Sequence, residues 1–318
     1  MWNSLSASVI FQPAPVPFTR RDLARRGITR YALMTDPRYR QILRGVWIDT
    51  RPDTAVPTPA WAEREWLEEW VKLRGISLLY PDLVGSHLSA ARIYGLPIPS
   101  RIKDRRAHVS TRSYRKKIER RGLLLHYSAG LAYEHLEAFD LPLVTVPQLM
   151  IDLAPILSAE ELVQIGDAAI SRQRSGPYTT LKLMRDECEK RRPLKFRTKL
   201  ERALDLIRPK VDSPRETWLR LWIMSCGLPE PDVHPPVQCS VRNIVLHPDL
   251  GYPELKLAIE YEGDHHRTSA RQFADDIERR QLLEAEGWTV LRVSKGTNMA
   301  TFAQLLAACL NRQQRLKS

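Results

Sequence analysis

The stretch that decides the fold of the C-terminal part is residues 247–267, HPDLGYPELKLAIEYEGDHHR. Within it, LKLAIEYE (255–262) alternates in the manner of a β-strand, with apolar odd-numbered residues on one face and Glu260 and Glu262 on the other. Two carboxylates on one strand face, mostly beside apolar neighbours, cost desolvation and mutual repulsion. A bound cation commonly offsets such a cost, so the strand predicts a cation site.

The turn before this strand supplies a third carboxylate. Asp249 precedes Gly-Tyr-Pro, and a hairpin at that turn would bring Asp249 alongside Glu260. Such an all-oxygen cluster suits Mg²⁺ or Mn²⁺, with Asp249, Glu260 and the backbone carbonyl of Tyr261 as the expected ligands. Glu262 would orient a water molecule or join a second metal site. The alternative is an edge strand whose glutamates are simply hydrated.

The flanking segments add further candidates. Ser213 and Pro214 open a helix with Glu216 in its first turn, where the carboxylate either favours the helix dipole or faces the metal centre. His265 and His266 follow the strand after Gly263; they are candidates for acid–base work rather than Mg²⁺ ligands, or are inert surface histidines. The helix predicted at 269–286 carries Arg279, which either forms an ion pair or contacts a phosphate.

The charge of the chain is unevenly distributed. The net charge is +12, yet residues 213–318 hold 13 basic and 13 acidic residues, so the whole excess lies in 1–212. Segment 101–121 alone carries ten basic residues against two acidic ones. Such a surface attracts phosphate backbones, although a solvated, solubilising face is the alternative. The candidate nucleic-acid-binding residues are Arg20, Arg21, Arg30, Arg44, Arg105, Arg106, Arg112, Arg115, Lys116, Lys117 and Arg279.

The N-terminal region predicts a small DNA-binding unit. Thr19 can cap a helix over 20–27 that stops at Gly27, and Thr29 can cap a second short helix. The alternating run YRQILRGVWIDT (39–50) predicts a β-hairpin that turns at Gly45. Two short helices followed by a hairpin are the outline of a winged helix-turn-helix, which many small α/β units share.

The rest of the chain predicts a mixed α/β, multidomain protein. The expected divisions are an irregular lead-in (1–17), the winged helix-turn-helix (18–58), a mixed middle region (59–208), a linker (209–214) and a C-terminal domain (215–318). The four scattered cysteines form no C-x-x-C pair and are expected to be reduced thiols. No apolar run is long enough for a membrane span and no signal-peptide pattern opens the chain, so a cytoplasmic protein is expected.

The C-terminal motifs resemble the very-short-patch-repair (Vsr-like) endonuclease group of the PD-(D/E)XK superfamily. The matching residues, in order, are Glu216, Asp249-Leu250, Glu260-Tyr261-Glu262-Gly263, His266, Asp276, Arg279 and the run Gly287–Val293. The resemblance covers about a hundred residues and implies a restriction-endonuclease-like α/β/α domain with a mixed sheet. The superfamily has a lysine two positions after the glutamate, where this chain has Glu262. The Vsr-like branch uses histidine instead, which implies that His266 protonates the leaving oxygen or stabilises the phosphate.

The N-terminal part is similar to the AbiEi-like antitoxin and regulator group. The resemblance rests on the 19–48 helix pair with Arg-Gly-Val-Trp-Ile-Asp, the segment SHLSAARIYGLP (86–97) and VTVPQLMIDLA (144–154). It spans roughly 18–170, and fusions of two such parts are familiar in actinobacterial proteins.

Together these patterns predict a DNA-binding, Mg²⁺-dependent endonuclease, acting in DNA repair, phage defence or a toxin–antitoxin system. Two alternatives remain: a non-catalytic winged-helix regulator that keeps an inactive nuclease fold, and a nuclease directed at RNA.

Overall fold

The computed structural model describes residues 9–51, 54–115, 117–171, 177–191, 193–262 and 270–317. The chain divides into two compact units, Met1–Ile207 and Arg208–Ser318. The division lies next to the predicted linker 209–214. Helices alternate with mixed and antiparallel sheets in the described ranges, which confirms the mixed α/β class.

The first unit begins with short elements around a β-hairpin. Thr19 caps a 3-10 turn at Arg20–Asp22 rather than the longer helix expected over 20–27, because only Leu23 of that segment is buried and no continuous apolar face exists. Thr29 caps the following helix as expected, and Gly45 takes a left-handed turn (φ 92°) inside the hairpin. The elements are β1 (Val9–Pro13), α1 (Arg30–Thr35), β2 (Tyr39–Leu43), β3 (Val46–Asp49), β4 (Ala55–Pro59) and α2 (Arg64–Leu79).

The remainder of the first unit is a five-stranded mixed sheet covered by helices. Its strand order is β7-β6-β5-β9-β8. One of its strands lies at Ala107–Thr111, and a capping box formed by Ser158 and Glu161 opens the helix Ala159–Ile170. The elements are β5 (Val84–Gly85), α3 (His87–Ile93), β6 (Ala107–Thr111), β7 (Leu123–Tyr127), β8 (Tyr133–Leu136), β9 (Leu141–Val144), α4 (Val146–Leu153), α5 (Ala159–Ile170), α6 (Leu181–Lys190) and α7 (Arg197–Leu206).

The second unit is built on a four-stranded mixed sheet of order β10-β13-β14-β15. Strands β13 and β14 form the predicted antiparallel hairpin, and β14 pairs in parallel with β15. The elements are α8 (Pro214–Ser225), β10 (Asp232–Val233), β11 (Val237–Cys239), β12 (Ile244–Leu246), β13 (Leu250–Tyr252), β14 (Leu257–Glu262), α9 (Ala270–Ala285), β15 (Thr289–Ser294) and α10 (Met299–Lys317).

Strand β14 has a different apolar cluster on each face. Leu257 and Ile259 are fully buried in a cluster with residues of α8 and α10, while Ala258 lies in a second cluster with Leu283 of α9 and Trp288. The predicted alternation along 255–262 is therefore present. It places Glu260 and Glu262 on the face of Ala258, at the end of the strand where the apolar packing stops.

The described part of the chain contains no helix that is both long and apolar enough to cross a membrane.

Candidate metal centre and basic surface

The strand registers of the second unit place three polar residues in one row. Strand β10 pairs with β13 so that Val233 is opposite Leu250, and β13 pairs with β14 so that Leu250 is opposite Ile259. One residue further along each strand, His234 is opposite Asp249, and Asp249 is opposite Glu260. The hydrogen bond from the His234 amide to the Asp249 carbonyl oxygen, at 3.1 Å, continues this ladder beyond β10.

Helix α8 brings a second carboxylate to the row. Ser213 caps the helix by accepting a hydrogen bond from the Glu216 amide at 3.2 Å, which sets Glu216 in the first turn. Glu216 is only 6% exposed, and its Oε2 lies 2.9 Å from His234 Nε2. The same oxygen accepts a hydrogen bond from the Asp212 amide at 3.0 Å. Glu216 was expected either to favour the helix dipole or to face the metal centre, and its geometry agrees with the second expectation.

The resulting group is Glu216, His234 and Asp249. One potential ligand atom of each lies within 4.8 Å of the others. The pKa of Asp249 is raised to about 6, chiefly by burial and also by the neighbouring Glu216 and Glu260, against the opposing effects of the Tyr261 amide and His234. The Glu216 carboxylate raises the pKa of His234. Two carboxylates are thus held close together in a partly dry site, where a positive charge is stabilised.

Glu260 and Glu262 take positions different from the shared cation site expected of them. Glu260 forms an ion pair with Arg279 of α9 (Oε1 to Nε, 3.1 Å), and Glu262 forms one with Arg292 of β15. The parallel pairing of β14 with β15 sets Arg292 directly opposite Glu260, so this face carries its own cations. Glu260 still lies near enough to Asp249 to affect its pKa. The group of ligand atoms formed by Glu216, His234 and Asp249 includes neither Glu260 nor Glu262.

The remaining predicted residues of the centre are placed as follows. The Tyr261 amide donates a hydrogen bond to Asp249 Oδ2 at 2.7 Å, which fixes that carboxylate against the end of β14. Arg279, besides its ion pair with Glu260, donates a hydrogen bond to the His247 carbonyl oxygen. His265 and His266 lie outside the described residues.

The donor set fits a divalent cation. Two carboxylates at short range supply the oxygens that Mg²⁺ and Mn²⁺ prefer. Because burial disfavours the charged form of Asp249, a bound cation would stabilise that carboxylate. The imidazole of His234 departs from the all-oxygen set expected for Mg²⁺, because nitrogen ligands suit transition ions better.

His234 is the residue of this group that the sequence analysis missed. It precedes two prolines and follows a strand of two residues, so no periodic pattern marks it. The available signal was a histidine in a turn between the Glu216 helix and Asp249. Its position depends on the pairing of β10 with β13, which is tertiary information.

The candidate nucleic-acid-binding residues of the first unit fall into two sets. Arg105 forms an ion pair with Glu65 and Arg106 with Asp104, so part of their charge is already neutralised. Arg112 donates a hydrogen bond to the Leu131 carbonyl oxygen, and Arg115 donates one to the Tyr114 hydroxyl. Lys116 lies outside the described residues.

The second set surrounds the hairpin of β2 and β3. Arg20, Arg21, Arg30, Arg44 and Lys117 are exposed, and none forms an ion pair with a carboxylate of the described residues. One concave surface is lined by Arg20, Arg21 and Arg44, and a second, sharing Arg44, is lined by Lys117 and Arg121. We call these two surfaces together the hairpin groove. The guanidinium of Arg20 lies over Trp47, 5.5 Å from the ring centroid.

No protein-family model matches the chain, and no curated protein was found to be similar to it. Among solved structures, the chain is similar to the crystal structure of the Rv2827c protein from Mycobacterium tuberculosis. The sequence identity is 16% and the TM-score 0.41, over 60% of this chain and 72% of that one. A likeness at this level carries no argument about function.

Proposed function

We propose that the protein is a DNA-binding nuclease that hydrolyses phosphodiester bonds with a divalent cation held in the second unit. The observation that carries the proposal is the convergence of Glu216, His234 and Asp249 to within 4.8 Å at the end of the β10-β13-β14 ladder. The order of elements around it, α8, β13–β14, α9 and β15, is the order expected from the resemblance to the Vsr-like endonucleases.

In this proposal the two carboxylates have the central role. Glu216 and Asp249 would hold the cation, which lowers the pKa of water and neutralises charge that develops on a phosphate. The Tyr261 amide fixes one oxygen of Asp249, and the Asp212 amide fixes one of Glu216, so both side chains are positioned before any ligand binds. Glu260 remains next to Asp249 and would orient the attacking water, held by its ion pair with Arg279.

The hairpin groove would supply most of the affinity for DNA. Exposed cations without a described carboxylate partner gain the most from phosphates, because they lose no existing ion pair. The second unit is nearly neutral, with 13 basic and 13 acidic residues over 213–318, so its own attraction for DNA would be weak. RNA would be attracted by the same charges and belongs in the test as a competing substrate.

The test is cleavage by the full-length protein of supercoiled plasmid, mismatched duplex, single-stranded DNA and RNA, with Mg²⁺ or Mn²⁺ and with a chelator. We expect chelator-sensitive cutting of DNA that falls about 100-fold or more in Asp249→Asn, because the variant removes a charge that holds the cation. Asp232→Asn, which changes an exposed carboxylate on β10, is the matched control and should cut normally. Tight DNA binding by a folded wild-type protein that cuts none of these substrates would favour the non-catalytic regulator instead.

A further inference from the structure

We propose that His234 is itself a metal ligand, and that the centre therefore takes a first-row transition ion, such as Mn²⁺ or Zn²⁺, in preference to Mg²⁺. The inference deepens the proposed function, because it rests on the same cation site. It assigns a role to the residue in the group that no pattern in the sequence marked.

The distances agree with ligands arranged around one ion. In an octahedral sphere with bonds of about 2.1 Å, neighbouring ligand atoms lie about 3 Å apart and opposite ones about 4.2 Å apart. His234 Nε2 is 2.9 Å from Glu216 Oε2, and all three potential ligand atoms lie within 4.8 Å of one another. The three side chains can therefore reach one ion with small changes of side-chain torsion.

The second nitrogen of His234 faces a carboxylate outside the group. His234 Nδ1 lies 3.4 Å from Asp212 Oδ2. A histidine that binds a metal usually donates its other N–H to a carboxylate or carbonyl, which fixes the tautomer and leaves the first nitrogen free for the ion. Without an ion, His234 Nε2 donates a hydrogen bond to Glu216 Oε2. A bound cation would displace that proton, and the Nδ1 proton would stay directed at Asp212.

The backbone holds the ring in this position. The His234 amide donates a hydrogen bond to the Asp249 carbonyl oxygen at 3.1 Å, and the His234 carbonyl oxygen accepts one from His247 Nδ1 at 3.1 Å. His234 also has a positive φ of 47°, a conformation that is unfavourable for residues other than glycine and persists only where the surroundings impose it.

The ligand types determine the choice of ion. Mg²⁺ strongly prefers oxygen ligands, whereas imidazole nitrogen strengthens the binding of first-row transition ions. Mn²⁺ binds nitrogen most weakly of that series, so a preference for Mn²⁺ over Mg²⁺ is a stringent test.

The experiment measures binding of Mn²⁺ and Mg²⁺ to the full-length protein by calorimetry, without DNA. We expect Mn²⁺ to bind about 10-fold or more tightly than Mg²⁺, and His234→Gln to lose at least about 10-fold in Mn²⁺ affinity with little change for Mg²⁺. Asp212→Asn, at a partly exposed outer position, should weaken Mn²⁺ binding in the same direction. His135→Gln, a half-exposed histidine of the first unit, is the control and should bind both ions as the wild type does.

Electron spin-echo spectroscopy of bound Mn²⁺ provides a readout that needs no variant. Coordinated imidazole gives ¹⁴N modulation in the wild-type spectrum, and its absence overturns the proposal. Equal affinity for the two ions, no binding of either ion, or unchanged Mn²⁺ affinity in a folded His234→Gln variant also overturns it. Mn²⁺ binding with ¹⁴N modulation but without cleavage of nucleic acid would contradict the proposed function and leave this inference standing. Metal-dependent cleavage without ¹⁴N modulation would support the proposed function and overturn this inference.

Discussion

Asp152 is a carboxyl group buried beside a cluster of histidines in the first unit. Gln148 Nε2 donates a hydrogen bond to its Oδ1 at 2.6 Å, and His87 Nδ1 lies 3.7 Å from its Oδ2. The His87 ring stacks on that of His126, with centroids 3.6 Å apart. Burial raises the pKa of Asp152 to about 7, so the folded protein keeps a proton there that the unfolded chain releases near pH 4.

We therefore expect Asp152→Asn to flatten the pH dependence of stability. Between about pH 4 and pH 7 the folded state binds more protons at Asp152, so its contribution to stability is full at low pH and is lost as the pH rises. The difference in the free energy of unfolding, variant minus wild type, should therefore be larger at pH 8 than at pH 4 by on the order of 2–4 kcal/mol. Urea unfolding at both pH values measures this difference.

The comparison with the wild type matters because the histidines produce the opposite trend. Burial lowers the pKa of His126 to about 4, so its contribution is present above about pH 6.5 and is lost as the pH falls towards 4. The wild type and the variant share that contribution of His126 to stability. Glu160→Gln, at an exposed position on α5, is the control and should follow the wild-type curve. A curve for Asp152→Asn parallel to that of the wild type would contradict the expectation.

The residues of the candidate centre also show what the sequence could predict. The facing of Asp249 and Glu260 follows from local information, because a strand alternates and a short turn returns the chain beside it. His234 depends on the pairing of two-residue β10 with β13, and the ion pair of Glu262 depends on Arg292, supplied by the parallel strand β15. Pairings between distant segments leave no periodic signal in the sequence.

At the scale of elements, the β13–β14 hairpin depends on a close backbone approach at Gly251. A Cβ at this position would lie 2.9 Å from the Leu257 carbonyl oxygen and 3.0 Å from Pro235 Cγ. Gly251→Ala should therefore force the hairpin apart and lower the free energy of unfolding by about 1–3 kcal/mol. It should also weaken Mn²⁺ binding, because Asp249 and His234 lie at the same strand ends.

Chemical denaturation and calorimetry of the same preparation measure both effects. Gly296→Ala is the matched control, since a Cβ there meets no heavy atom within 4 Å among the described residues. If Gly251→Ala had wild-type stability and wild-type Mn²⁺ affinity, the hairpin would not be what positions the centre.

Helices and strands were predicted well where the sequence has a regular spacing of apolar residues or a clear capping residue. Thr29 and Ser213 cap helices as expected, because a cap is a contact between residues three apart. The segment 20–27 forms only a 3-10 turn despite its cap at Thr19, because a helix without an apolar face has nothing to pack.

For the whole molecule, the decisive property is where unpaired charge lies. The excess of basic residues belongs to 1–212, yet within it Arg105 and Arg106 already face carboxylates while Arg20, Arg21 and Arg44 line the hairpin groove without a described carboxylate partner. Composition predicts the sum of the charge but not this division. Binding to a phosphate backbone should follow the division, because an arginine that must first leave a carboxylate gains less.

The last prediction compares two sets of arginine variants in DNA binding. Arg20→Gln/Arg21→Gln/Arg44→Gln should lower the slope of log affinity against log salt concentration by about 2.7, since each lost phosphate contact removes about 0.9. Arg105→Gln/Arg106→Gln should change the slope by less per residue, because each removed charge was already paired. Fluorescence anisotropy with labelled duplex over a range of salt concentrations measures both slopes. An equal decrease in slope per substituted arginine in the two sets would mean that total charge attracts the DNA. A larger decrease in the Arg105/Arg106 set would place the DNA on segment 101–121 instead of the hairpin groove.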